Sequence, residues 1–254
     1  SGFSYLRPLQ FAFESPKFML PLRLGMINGR GPQDLVAYLL TRKGRVETSN
    51  YRTVKLPANM DLPVCLKQGD EFRNFYKGMF GEQAKKEGYR AVFTEYFWDM
   101  GWCDPCAADP LSPDELRKAG VFWVGAQNGE IQPMPLPGQP RIMPRPPMPG
   151  GAQPVMLTRL HVRYTPETFP EDLMFQETKD RQNFQTRYVL RHPAKVEPNA
   201  CPEAKPYLDG VVKRQESEAQ QLATLTGGDI NVIRKKLTLP PMPPQKPWWD
   251  GLWK

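Results

Sequence analysis

Histidine and cysteine are scarce in this chain: its 254 residues include two histidines and four cysteines. A zinc site usually needs two Cys or His pairs at short spacing. Only one close cysteine pair exists, and His161 and His192 stand alone, as surface or strand histidines do. Glycine-rich runs such as TGGD lack the lysine or the strand–GxGxxG–helix setting of a phosphate loop. We therefore predict no metal site, no cofactor and no catalytic residues outside the cysteine pair.

A long apolar run is also missing. The longest, Leu35 to Leu40, falls far short of the ~18–20 residues that a membrane-spanning helix needs, so we predict no transmembrane span. The opening residues SGFSYLRPLQ show no basic start followed by an apolar block, as a signal peptide would. Because the sequence does not start with methionine, we expect the chain to be a proteolytically processed or trimmed product.

Positive charge is in excess but not concentrated. The 34 Lys and Arg against 27 Asp and Glu give a net charge of +7. The densest basic runs are short: Arg42–Lys43, Lys85–Lys86 and Arg234–Lys236. A nucleic-acid binder would cluster such residues on one element, so no nucleic-acid partner is predicted. Contact with an acidic partner or with an anionic membrane surface stays open.

Proline, by contrast, is abundant: 29 of 254 residues, about twice the usual ~5 % share. Residues 131–154 contain nine prolines in 24 positions, which favours a polyproline-type loop or arm. A second proline-rich stretch begins residues 239–254, a predicted C-terminal arm with three tryptophans. Such side chains pack back on the body, dock on a partner protein or lie at a membrane interface. The candidate partner-docking residues are Met143, Met148, Trp248, Trp249 and Trp253.

Helical patterns occur in three places. Aromatic and apolar residues recur at helical spacing over residues 70–87, with Asp70 as N-cap and Gly88 as the stop. Ser112 begins a capping box that predicts a short helix. A longer helix is predicted from about residue 203 to 225, followed by a short one capped by an aspartate.

Strand patterns fill much of the remaining chain. The predicted strands cover residues 10–13, 18–20, 22–24, 35–41, 46–54, 89–100, 121–124, 155–165, 169–178 and 184–193. We expect 35–41 and 46–54 to form a hairpin, with both faces of its first strand buried. After Val155 the residues alternate, which places Arg159 and His161 on a basic face that is solvated or paired.

Together these elements predict an α+β fold, with a mainly antiparallel sheet and a few packing helices. We expect one domain in two parts, residues 1–130 and 155–238. Residues 131–154 form a proline-rich loop or arm between the parts, and residues 239–254 form the C-terminal arm.

The most unusual motif is GWCDPCAADP, residues 101–110, which resembles the active-site run of thioredoxin-like enzymes. Such enzymes place the cysteine pair at the start of a helix, which stabilises the thiolate. Here the helix signal falls at Ser112, so Cys103 and Cys106 are predicted to lie in a loop. Either cysteine could instead join Cys201 in a structural disulfide. In the chain-entropy model, such a bond would stabilise the fold by roughly 4–5 kcal/mol. Cys65 is the fourth cysteine, and the sequence does not choose among the pairings.

Several longer stretches resemble one bacterial family. They are FMLPLRLGM, GPQDLVAYLLTRKGRVETSNYRTVKLP, WDMGWCDPCAADPLSPDEL, LTRLHVRYTPETFPEDLMFQET and RQNFQTRYVLRH. These stretches are similar to the C-terminal half of the "domain of unknown function 2330" family, over residues 1–236. The resemblance implies an exported envelope protein, with a signal peptide and an N-terminal half preceding this segment. It also implies oxidised cysteines, and it supplies no catalytic residues.

These observations lead to one functional expectation and one alternative. We expect a non-enzymatic, exported accessory subunit of a larger bacterial envelope or membrane-associated assembly, in the periplasm or cell envelope. Its partners would be other protein subunits, among them the N-terminal half of its own precursor, because stiff proline arms lose little entropy on docking. The alternative is a thiol–disulfide oxidoreductase that works through Cys103 and Cys106.

Overall fold

The computed structural model describes residues 17–27, 29, 31–67, 70–102, 110–124 and 153–237. The strands are β1 (Met19–Leu20), β2 (Gln33–Thr41), β3 (Val46–Thr48), β4 (Arg52–Lys55), β5 (Met60–Leu62), β6 (Ala91–Asp99), β7 (Met156–Tyr164), β8 (Leu173–Glu177), β9 (Phe184–Gln185) and β10 (Tyr188–Leu190). The α-helices are α1 (Glu71–Lys86), α2 (Pro113–Lys118), α3 (Ala204–Thr226) and α4 (Ile230–Lys236). Mixed helices and mostly antiparallel sheets confirm the predicted α+β class.

Contacts divide the chain into two compact units, each made of two separate stretches. The first unit combines Ser1–Val54 with Arg90–Phe184. The second combines Lys55–Tyr89 with Gln185–Lys254. Each unit therefore forms only when two stretches that are distant in the sequence pack together.

The first unit is built around a sheet in which β7 lies between β2 and β6, with β4 beyond β6. β7 runs antiparallel to both neighbours, so that Leu160 lies opposite Ala37 of β2 and Thr94 of β6. The predicted alternation is confirmed, because one face of β7 is buried throughout. That face carries Met156, Thr158, Leu160, Val162 and Tyr164. Leu160 packs in a core with apolar residues of β3 and β8.

A second, smaller sheet of the first unit has the order β1-β8-β3, with antiparallel pairs. The loop between β2 and β3 lies against the segment that follows β8. Arg45 N donates to the Asp180 carbonyl at 2.9 Å, and Thr178 N donates to the Arg45 carbonyl at 2.8 Å. Because Gly44 at this point has no side chain, the two backbones approach closely.

The structure corrects four local predictions. Residues 35–41 and 46–54 do not form a hairpin, because β2 pairs with β7 while β3 pairs with β8. The first strand is not buried on both faces either, since Tyr38 is 62 % exposed at the sheet edge. Residues 22–24, predicted as a strand, lie in the 3₁₀ turn Leu22–Met26. Residues 121–124 form a turn, whose apolar side chains pack on a buried cluster.

The second unit contains α1, α3, α4 and the parallel pair of β5 and β10. The α1 stripe is confirmed: Phe75 is buried, and its ring lies perpendicular to the Tyr188 ring with the two ring centres 4.9 Å apart. Asp70 is the N-cap residue, although its side chain makes no capping hydrogen bond. α3 packs against α1 and ends at Gly227, whose φ of +67° suits a residue without a side chain.

A salt bridge joins α3 to α4 and makes a testable pH prediction. Arg234 Nε donates to Glu216 Oε2 at 3.0 Å, and Gln220 donates to the same carboxylate at 2.8 Å. The hydrogen bond from Arg234 lowers the pKa of Glu216 to about 2, well below its unfolded value of about 4.3. Because the folded pKa is depressed, this pair stabilises the fold above pH ~4 and ceases to do so as the pH falls towards ~2.

We expect NMR titration of the Glu216 carboxyl to show this low midpoint. Arg234→Gln should return the Glu216 pKa towards its ordinary value, whereas Lys235→Gln, a neighbouring loss of the same charge, should leave it low. A Glu216 midpoint near 4 in the unsubstituted protein would contradict the pairing.

Candidate interaction surface

The sequence-predicted site residues fall into two groups. Cys103, Cys106, Met143, Met148, Trp248, Trp249 and Trp253 lie outside the described residues. Cys65 and Cys201 are described, and both are free thiols. Cys65 sits half-buried in the 3₁₀ turn Val64–Lys67, where burial raises the pKa of its thiol and the nearby Lys236 lowers it less. Cys201 is exposed just before α3.

Both ends of the cysteine segment are held by described residues. At its start, Asp99 is almost fully buried, accepts from Gly101 N at 2.9 Å and pairs with Arg181 at 2.8 Å. Trp98 Nε1 donates to the Trp102 carbonyl at 3.0 Å. At the far end, the predicted capping box of α2 is confirmed, since Ser112 accepts from Glu115 N and Glu115 accepts from Ser112 N. The helix thus begins beyond the cysteine pair.

The turn after α2 packs on a buried apolar cluster of the first unit. This cluster, here called the Trp98 cluster, consists of Trp98, Met100, Leu116, Val121, Val124 and Val155. Leu40 of β2, Leu157 of β7 and Trp123 pack against it from outside. The cluster therefore fixes the turn after α2 onto the face of the sheet that β2 and β7 share at this end.

Arg42, directly after β2, lies in a notch between two aromatic rings of that turn. Its guanidinium carbon is 5.0 Å from the centre of the Trp123 ring and 5.6 Å from that of Phe122. The two rings are nearly perpendicular, with centres 5.3 Å apart. Trp123 Nε1 donates to the Pro154 carbonyl at 3.2 Å, which anchors its ring. Phe122 remains 78 % exposed.

A second aromatic–arginine contact lies on the same face of β2. The Arg159 guanidinium is 5.4 Å from the centre of the Tyr38 ring, which lies directly across from it in the β2–β7 register. We call Tyr38, Arg42, Phe122, Trp123 and Arg159 the aromatic–arginine surface. Cation–π contacts of this kind contribute about 0.5–1 kcal/mol each at exposed sites.

A buried carboxylate supports the Arg159 end of this surface. Glu95 is only 4 % exposed and occupies the β-bulge in β6, between Thr94 and Tyr96. Its Oε2 lies 2.7 Å from Arg159 Nε, and its Oε1 lies 2.6 Å from His161 Nδ1. On the same strand face, Arg163 pairs with Asp34 at 2.7 Å. The basic face of β7 is thus paired, which is one of the two outcomes that the sequence predicted.

Sequence reasoning did not identify the aromatic–arginine surface. It treated Phe122 and Trp123 as part of a short strand, and Arg42 as part of a scattered basic run. Two signals were available: a charged residue, Glu95, inside an aromatic strand, and two adjacent aromatic residues, Phe122 and Trp123, directly after the short predicted helix. Neither signal shows that Arg42 meets these rings, because the contact joins residues far apart in the sequence.

The described residues contain neither a metal-binding group nor a membrane-spanning helix. In the part of the chain that the structure describes, no three His, Cys, Asp or Glu side chains are grouped to hold a metal ion. No helix among the described residues combines the length and apolar character that a membrane crossing needs.

A known protein family matches this chain. The family described as "Uncharacterized protein conserved in bacteria (DUF2330)" matches residues 3–176, which include every residue of the aromatic–arginine surface. The matched range ends within β8, so it stops short of the expected residue 236 and excludes α3 and α4. Neither the curated proteins nor the solved structures contain a match to this chain.

Proposed function

We propose that this chain, which belongs to the bacterial protein family DUF2330, is a non-enzymatic accessory subunit that binds other proteins of a larger envelope assembly. The observation that supports this proposal is the aromatic–arginine surface. Large apolar side chains that stay exposed in an ordered arrangement are typical of interaction sites. Aromatic residues and arginine are also the side chains most enriched where binding energy concentrates.

The geometry of this surface favours binding because it is ordered before any partner arrives. Trp123 is fixed by its bond to the Pro154 carbonyl, and Arg42 is fixed by the two rings. Ordering a mobile side chain on binding costs about 0.5–1.5 kcal/mol, so side chains that are already held lose less. Phe122, at 78 % exposure, has most of its ring area available for burial under a partner.

The two predicted arms add to this proposal. Residues 131–154 and 239–254 are rich in proline, and the second carries Trp248, Trp249 and Trp253. Stiff segments lose little entropy on docking, and tryptophans serve as anchors. We place the subunit in the periplasm or cell envelope, with contact to a membrane surface allowed. Oxidation of Cys103 and Cys106 fits this compartment.

Native size in the producing bacterium tests the proposal. The chain is tagged and expressed from its own locus. It should be recovered in the envelope fraction, in a complex whose native size exceeds that of the isolated chain. Phe122→Ser should release it from that complex. Phe72→Ser removes a ring of α1 that is 46 % exposed, and should have no such effect. A chain that migrates as a monomer in all three cases would contradict the proposal.

A further inference from the structure

We propose that Arg42, held by Phe122 and Trp123, binds a carboxylate on an acidic segment of the protein partner. This inference rests on the proposed function, because it names the chemistry of the partner for the same surface. The occupant is a polypeptide with an Asp or Glu side chain flanked by apolar residues.

Charge pairing distinguishes Arg42 from most of the described arginines of the first unit. Six arginines of this unit form ion pairs with carboxylates: Arg23–Asp172, Arg45–Asp180, Arg117–Asp114, Arg159–Glu95, Arg163–Asp34 and Arg181–Asp99. Among the described residues, Arg42 has no such carboxylate, and its contacts are the two aromatic rings. Within the described part of the first unit, its charge is held in place without being neutralised.

The contact with the rings leaves the hydrogen-bonding groups of Arg42 available. No hydrogen bond joins its guanidinium to another described residue, whereas both ring contacts involve its carbon centre. A guanidinium presents its N–H donors in one plane, in a fork that matches the two oxygens of a carboxylate. The neighbouring rings restrict the arginine side chain, so it loses less entropy when it binds a carboxylate.

The charge of the surface fits an acidic polypeptide better than a nucleic acid. Arg159 is already paired with Glu95, so the described cations at this surface without a carboxylate partner are Arg42 and the exposed Lys43 beside it. A nucleic acid is bound through many phosphate contacts along a basic stripe. One or two cations next to the exposed ring of Phe122 instead suit a single acidic residue among apolar ones.

Peptide titration of the full, ¹⁵N-labelled chain tests this inference. The probes are acetyl-Leu-Glu-Leu-amide and its uncharged counterpart acetyl-Leu-Gln-Leu-amide, followed by NMR at the Arg42 Nε–H and the Trp123 indole N–H. We expect the glutamate peptide to shift both signals with at least tenfold higher affinity than the glutamine peptide. This preference should weaken as salt is added, because the surface is open to solvent.

Two matched variants show which positive side chain accounts for the preference for the glutamate peptide. Arg42→Gln should abolish the preference for glutamate, whereas Lys43→Gln, the same loss of charge one residue along, should reduce it less than twofold. Equal affinity for the two peptides, no shift at millimolar peptide, or equal effects of the two variants would overturn the inference. Tighter binding of an oligodeoxythymidine would overturn it in favour of nucleic acid. If Phe122→Ser still releases the chain from its complex, the proposed function stands even where the carboxylate inference fails.

Discussion

Replacing Gly44 with alanine is expected to destabilise the protein by about 3 kcal/mol, the upper end of the range for overpacking a filled site. A Cβ atom at this position would lie 2.3 Å from the Thr178 carbonyl oxygen and 2.8 Å from that of Asp180. Both atoms belong to backbone that is hydrogen-bonded to Arg45, so relief of the clash breaks those bonds. Urea unfolding measures the loss.

Gly210→Ala provides the matched control for this prediction. Gly210 lies within α3, and a Cβ atom there meets nothing within 4 Å. Because alanine is the better helix former, this substitution should stabilise the protein by about 0.5–1 kcal/mol. If Gly44→Ala is as stable as the unsubstituted chain, the backbone at Gly44 does not lie as close to Thr178 and Asp180 as described here.

Replacing Glu95 with glutamine is expected to destabilise the protein by about 3 kcal/mol. Removing one partner of a buried ion pair typically costs about 3–5 kcal/mol, because the other charge stays without compensation. Arg159 is partly exposed, with 38 % of its side chain in contact with solvent, which favours the lower end of that range. Thermal or urea unfolding near pH 7 measures the effect.

The same substitution should disturb the Tyr38 end of the aromatic–arginine surface, since Glu95 holds the arginine that meets this ring. Glu197→Gln removes an exposed carboxylate and should change stability by less than about 0.5 kcal/mol. If both variants unfold at the same urea concentration, the buried Glu95–Arg159–His161 arrangement does not contribute to stability.

Features encoded by neighbouring residues were predictable from the sequence. The α1 stripe, the Ser112 capping box and the glycine-ended α3 all depend on residues within a few positions of each other. The alternation of β7 is local in the same sense, because successive side chains of a strand point to opposite faces. These predictions are confirmed by the structure.

Strand pairing was not predictable in the same way. The sequence identified β2 and β3 as strands, but their partners β7 and β8 lie more than a hundred residues further along the chain. A short loop between two strands favours a hairpin only when their edges are free to pair. Here β2 pairs with β7 and β3 pairs with β8, and Gly44 brings the loop between them against the segment after β8.

The candidate surface depends on the same kind of distant contact. Phe122 and Trp123 are displayed because the apolar residues beside them, Val121 and Val124, are buried in the Trp98 cluster. An apolar run of four residues is compatible with either a strand or such a turn, so its pattern does not decide between them. The position of Arg42 in the notch follows only once β2 and the turn are brought together.

Site-specific photocrosslinking tests the proposal that the chain docks on a protein through the aromatic–arginine surface. A photoreactive phenylalanine analogue replaces Phe122, and in a parallel strain Phe72, in bacteria that produce the chain from its own locus. We expect one discrete protein adduct from position 122, located in the envelope fraction, and none from position 72. Arg42→Gln should weaken that adduct, whereas Lys43→Gln should not. No adduct from position 122, or the same adduct from both positions, would show that this surface does not dock on a protein.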